Sequence, residues 1–194
     1  MRFLVRLSNG TKLAPKDARE LTLRSYEAVK EFGGDVGNLR VSSSAVELDL
    51  LLESKANLQA ATQSLESKLG PLLTLRELDM PGSQMEAGEA IREGILLFNE
   101  ERFWESHEAL ESAWRRASGA DKEILQGIIL LAAAFVHLQK NEIAVSLSVM
   151  GRVHSKLTGY HSEHLGINID NLRDDVSRMI LAGHPDFLKI NLMD

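Results

Sequence analysis

The apolar residues of this chain change period once, and that change limits the folds open to it. Before about residue 79 they recur at intervals of two and of three to four in turn. After the segment MPGSQMEAG, residues 80–88, only the helical interval of three to four remains. The segment holds Pro81, Gly82, Ser83 and Gly88 and no periodic apolar residue, so it serves as a linker. The expected architecture is α+β, with domains at 1–79 and 89–194.

In the first part, Phe3, Val5 and Leu7 alternate with Arg2, Leu4 and Arg6, which predicts a strand followed by a turn at Asn9-Gly10. Pro15 suits the first turn of a helix, whose face carries Ala18, Leu21, Ala28, Val29 and Phe32 and which stops at Gly33-Gly34. A second strand is expected over 39–43. A third, half-buried strand follows, with Val46, Leu48, Leu50 and Leu52 inward and Glu47 and Asp49 outward. Leu58, Ala61, Leu65 and Leu69 mark a second helix, ended by Gly70-Pro71, and Leu73 and Leu75 a last strand ending near Asp79. The order βαββαβ predicts a ferredoxin-like domain. That topology decides no function. RNA binding by stacking on the sheet is disfavoured, because the central strands offer only Phe3, which alternates with the apolar set.

The second part predicts an all-α bundle. Its stripes are Ala90–Ile91–Ile95–Phe98, then Phe103–His107–Leu110–Trp114, then an almost wholly apolar helix over 124–138. Ile143–Leu147–Met150–Val153–Leu157 follows, and last a helix with Asp170 as N-cap and Gly183 as its stop. At an offset of 40 the segment 97–117 lies over 137–157, so that Phe103 meets Ile143, Leu110 meets Met150 and Ala113 meets Val153. Each unit is a helix, a short turn and a helix, which predicts tetratricopeptide-like hairpins closed into a bundle.

Charge and composition exclude several classes. The formal charge is −6; residues 1–79 carry 11 basic and 11 acidic side chains, and the rest carry 11 and 17. Neither part offers a basic block, so no nucleic-acid partner is expected. With no cysteine, disulfides, thiol nucleophiles and cysteine-held metals are out. The start is too short and too charged for a signal peptide, and no apolar run approaches a bilayer span. The expectation is a soluble, cytoplasmic protein with no membrane partner. A homodimer through a sheet edge is a further expectation.

The segment FNEERFWESHEALESAWR carries the candidate site. With Phe103 at zero, His107 lies at about 40°, Trp114 at about 20°, Glu111 at about 80° and Trp104 at about 100° on the helical wheel. This sets an imidazole in an apolar stripe with a carboxylate one turn on, a pair that needs hydrogen bonds if buried. On the next helix Gln126, Ala133 and His137 share a face that could answer it. The expected pocket joins Asn99, His107, Glu111, Gln126 and His137 between the indoles of Trp104 and Trp114. His107 is expected to be buried and bonded to Glu111, Gln126 or His137. The set His107, Glu111 and His137 could hold a divalent metal, but H-E-x-x-H is broken because Glu111 stands where its second histidine would be. His154, His161 and His164 straddle Gly159 and are expected in a surface loop.

The same segment, followed by LQGIILLAAAFVHLQKN, resembles the uncharacterised helical family called domain of unknown function 309, over roughly residues 89–157. The resemblance implies a small all-α fold and prokaryotic distribution, and brings no activity with it.

Three readings of the constellation compete. It is a buried network that locks two helices, a small-ligand pocket, or a metal-dependent hydrolase using His107 and Glu111. The leading expectation for the protein is a non-enzymatic small-ligand-binding or protein-interaction module. No cofactor is expected, a divalent metal being the alternative, and the small molecule or protein partner is unidentified.

Overall fold

The computed structural model describes residues 1–78 and 85–193. The chain divides into two compact units, Met1–Ser83 with Gln139–Asn141, and Gln84–Leu138 with Glu142–Asp194. The expected linker at 80–88 and the strand end at Asp79 fall partly on residues 79–84, outside the described residues. The next helix begins inside the expected linker, at Ala87.

The first unit runs β1 (Arg2–Ser8), α1 (Ala18–Val29), β2 (Gly34–Val41), β3 (Ala45–Leu52), α2 (Leu58–Leu69) and β4 (Leu72–Glu77). The sheet is antiparallel throughout, in the order β2-β3-β1-β4. Phe3, Val5 and Leu7 stand opposite Leu50, Leu48 and Val46, so one face is continuously apolar and packs with Leu21, Val29, Ala61 and Leu65 of the helices. The turn after β1 is tied by Asn9, whose amide donates to the carbonyls of Leu13 and Ser42 and accepts from the Leu13 N–H. Strand β2 starts at Gly34, five residues before the expected 39–43, because the αL residue Gly33 ends the preceding turn and lets the chain extend at once.

The other face corrects the half-buried reading of β3. Glu47 and Asp49 are buried together with Arg40. Arg6 pairs with Glu47 at 3.2 Å, Arg40 lies 3.5 Å from both carboxylates, and Arg2 reaches Asp49 at 2.6 Å. The Asn38 amide also donates to Asp49. Buried charge of one sign is tolerated because the opposite sign stands on the neighbouring strand.

The second unit comprises α3 (Ala87–Asn99), α4 (Phe103–Trp114), α5 (Gly119–Gln139), α6 (Ile143–Leu157), a two-residue hairpin β5 (Glu163–His164) and β6 (Ile167–Asn168), and α7 (Ile169–Ala182). Asn168 caps α7 by accepting from the Asn171 N–H, in place of the expected Asp170. Its core centres on the rings of Phe98, Phe103, Phe135 and Phe187, with centroids 5.0–5.6 Å apart.

The offset of 40 recurs in the backbone. Glu101 and Asn141 have φ of 59° and 62°. The following residues, Arg102 and Glu142, take nearly the same dihedrals, and each N–H donates over 2.9 Å to a carbonyl five residues back, Leu97 and His137. Ser106 and Ser146, next in the pattern, are both fully buried.

Candidate functional site

The rotation of α4 is set by its contact with α3. Gly94 leaves room for Leu110; a Cβ there would lie 2.5 Å from Leu110 Cγ. The Ser106 hydroxyl donates to the Gly94 carbonyl at 2.7 Å. The fully buried line of α4 is therefore Phe103, Ser106, Leu110 and Ala113, centred about 40° from the line expected. Small residues decide the angle because only they allow two helix backbones to approach this closely.

That rotation moves the expected site residues to the shoulder of the helix. His107 and Trp114 are half-buried, as are Trp104 and Glu111. His107 has no hydrogen-bonding partner among the described residues, and Glu111 lies 3.4 Å from Arg115, one turn on. The Trp114 Nε1 is buried without a partner among the described residues, and Lys122 Nζ stands 4.6 Å above its ring. Asn99 clamps the C-terminal segment: its amide donates to the Ile190 carbonyl and accepts from the Ile190 N–H, both at 2.8 Å. On α5, Gln126, Ala133 and His137 share a face as expected, but that face is half-exposed and the apolar core uses the others. His137 Nδ1 sits 2.5 Å from Glu142 Oε2. The seven residues are thus distributed over separate contacts. Among the described residues, no group of three or more His, Asp or Glu side chains is placed to hold a metal.

A stability test follows from the rotation. His107→Ala is expected to cost less than about 1 kcal/mol, as for a half-exposed side chain without partners. Ser106→Leu should cost more, about 1–3 kcal/mol, by forcing α4 away from Gly94. Denaturant melts of the two variants give the order; a larger loss for His107→Ala would restore the buried-histidine reading.

Two features escaped the sequence. The first is Glu105, buried, whose carboxylate is gripped by Arg102 Nε at 2.8 Å and by a second guanidinium nitrogen at 3.0 Å. Those bonds hold the Arg102 charge and push its pKa further up. An arginine three residues before a glutamate at a helix start was the available signal. The second is a cleft of about 750 Å³ between α5 and α6, lined among others by Glu123, Gln126 and Leu130 of α5 and by Arg152, Lys156 and Tyr160 on the α6 side. Gln126 is the one expected site residue in it. Lys156 Nζ reaches across to Glu123 at 2.6 Å. Neither Gln126 nor Arg152 has a side-chain partner among the described residues.

Of the three histidines expected in a surface loop, His161 and His164 occupy the stretch around β5, but His154 lies in the last turn of α6, because that helix runs on to Leu157, two residues short of Gly159. His161 Nδ1 lies 3.1 Å from Asp170, which also accepts from the Ser162 N–H at 2.8 Å and from Arg173 at 2.8 Å. The Ser162 N–H above all, then His161 and Arg173, hold the Asp170 carboxyl down to about 2. A lowered carboxylate stabilises the fold fully above its unfolded pKa near 4, and the contribution fades as pH falls towards 2. Asp170→Asn should therefore lower the melting temperature at pH 7, with the gap to the parent closing between pH 4 and pH 2. A gap that stays constant over that range would contradict the assignment.

No helix among the described residues is long and apolar enough to cross a membrane. A comparison with curated proteins returns no match. Residues 91–149, which span α4 and α5 and parts of α3 and α6, match the family described as Domain of unknown function (DUF309). The FNEERFWESHEALESAWR motif, its turn and the helix that follows lie within that match, so over this stretch the chain is similar to the DUF309 family.

Proposed function

We propose that the protein is a non-enzymatic binding module whose ligand is a small molecule held in the cleft between α5 and α6. The cleft itself carries this reading. Its volume of about 750 Å³ suits a small organic ligand, and it combines apolar surface at Leu130 and Tyr160 with a few convergent polar groups. The site differs from the one expected at His107, and Gln126 belongs to both.

A thermal-shift screen of the full chain against a small-molecule library tests the reading. A ligand present at about 100 times its Kd adds about 2.7 kcal/mol, a shift of several degrees. Gly151 lines the cleft, and a Cβ there would meet nothing within 4 Å. Gly151→Leu should therefore fill the space without unfolding α6. True ligands lose their shift in that variant. Compounds that stabilise both proteins equally, or a library without hits, would sink the proposal.

The finer architecture belongs to the same proposal. The strand order supports a ferredoxin-like first domain over 1–79, and the turn repeated at an offset of 40 supports tetratricopeptide-like hairpins over 89–194. The absence of cysteine supports a cytoplasmic setting. The edge position of β4, with Leu73 and Leu75 exposed, supports a homodimer.

A further inference from the structure

We infer that the ligand of the α5–α6 cleft is an organic anion, a carboxylate or phosphate monoester attached to an apolar body; this rests on the cleft being the binding site. The charged groups lining the cleft are Glu123, Lys156 and Arg152. Glu123 and Lys156 neutralise each other across it at 2.6 Å. Arg152 is exposed and has no hydrogen-bond or ion-pair partner among the described residues. The cleft therefore carries one uncompensated positive charge, and that charge is a planar guanidinium, which matches carboxylate and phosphate oxygens in a bidentate way.

The surroundings suit the rest of such a ligand. Leu130 and Tyr160 are half-buried in the lining and offer apolar surface. Gly151 precedes Arg152, and Gly159 follows the end of α6; would-be Cβ atoms at both have open space, so the approach to the guanidinium is unobstructed by side chains there. Gln126 supplies an amide, donor and acceptor at once, for a polar substituent on the body. A cationic ligand would meet Arg152 with only a carboxylate already engaged by Lys156 to attract it, and a neutral one would leave the guanidinium unused.

The experiment is an NMR titration of the full ¹⁵N-labelled chain with phenyl phosphate, benzoate, inorganic phosphate and phenol. Phenyl phosphate and benzoate should shift the amides of Gly151 and Gly159 saturably. Arg152→Gln, at an exposed position, should weaken both by about tenfold or more. Glu123→Gln frees Lys156 as a second cation and should tighten both several-fold. Phenol binding as well as phenyl phosphate, unchanged by Arg152→Gln, would overturn the anion inference and leave the cleft as a site for neutral ligands. Inorganic phosphate binding as tightly as phenyl phosphate would overturn the apolar half of it. If none of the four gives a saturable shift, the inference fails, and the library screen decides the cleft on its own.

Discussion

Replacing Phe135 by alanine should cost the helical unit about 3–5 kcal/mol. Its ring is fully buried and lies within 5.6 Å of the rings of Phe98, Phe103 and Phe187, so truncation removes contacts to α3, α4 and the segment after α7 at once. Against a typical total of about 5–15 kcal/mol, this takes much of the margin. The chain supplies its own probe. Both tryptophans, Trp104 and Trp114, sit on α4, so their fluorescence follows the helical unit and not the sheet. In denaturant the fluorescence midpoint should fall steeply for Phe135→Ala. A shift under about 1 kcal/mol would mean that the four rings are not the centre of the core.

Gly70→Val should cost the sheet unit about 2–4 kcal/mol. Gly70 follows α2 with φ of 135°, a conformation only glycine adopts easily, and a Cβ there would stand 2.5 Å from the Ser8 carbonyl oxygen. The next residue closes this junction, since the Ser8 N–H donates to the Pro71 carbonyl at 2.8 Å. A β-branched side chain must therefore distort the end of β1 or the start of β4. Hydrogen exchange at the amides of β1 and β3 measures the loss. Unchanged protection there would show that the junction yields at little cost.

The period of the apolar residues made most elements legible. α2 lies where Leu58 to Leu69 and Gly70-Pro71 set it, and α7 closes at Gly183, in αL with φ of 64°. The order βαββαβ was likewise readable from alternation and turn residues. The site was harder to read because a helical wheel weighs hydrophobicity, while the angle of α4 is decided by Gly94, Ser106 and Ala113. Small residues carry little hydrophobic signal, yet they set how closely two helices approach. Ser106 is polar yet fully buried, its hydroxyl satisfied by the Gly94 carbonyl of the neighbouring helix. Glu47 and Asp49 looked solvent-facing because their compensating arginines lie on other strands: Arg6 is 41 residues from Glu47, and Arg40, though only seven residues away, faces it only once β2 pairs with β3. The α5–α6 cleft left no trace in either period, since it depends on where glycines 151 and 159 leave space rather than on what any side chain contributes.

The register of the first sheet also has a consequence during synthesis. β1 is made first, yet one neighbour, β3, places Leu51 opposite Arg2, and the other, β4, places Glu77 opposite Phe3. Its backbone groups are satisfied on both sides only after about 75 more residues have been added, roughly 4–15 s at ordinary elongation rates. For that interval the apolar strand Phe3-Leu4-Val5 is an open template on the nascent chain. The arginines at positions 2 and 6 that later serve the ion pairs flank it with like charge, which opposes the association of two such strands before the sheet closes.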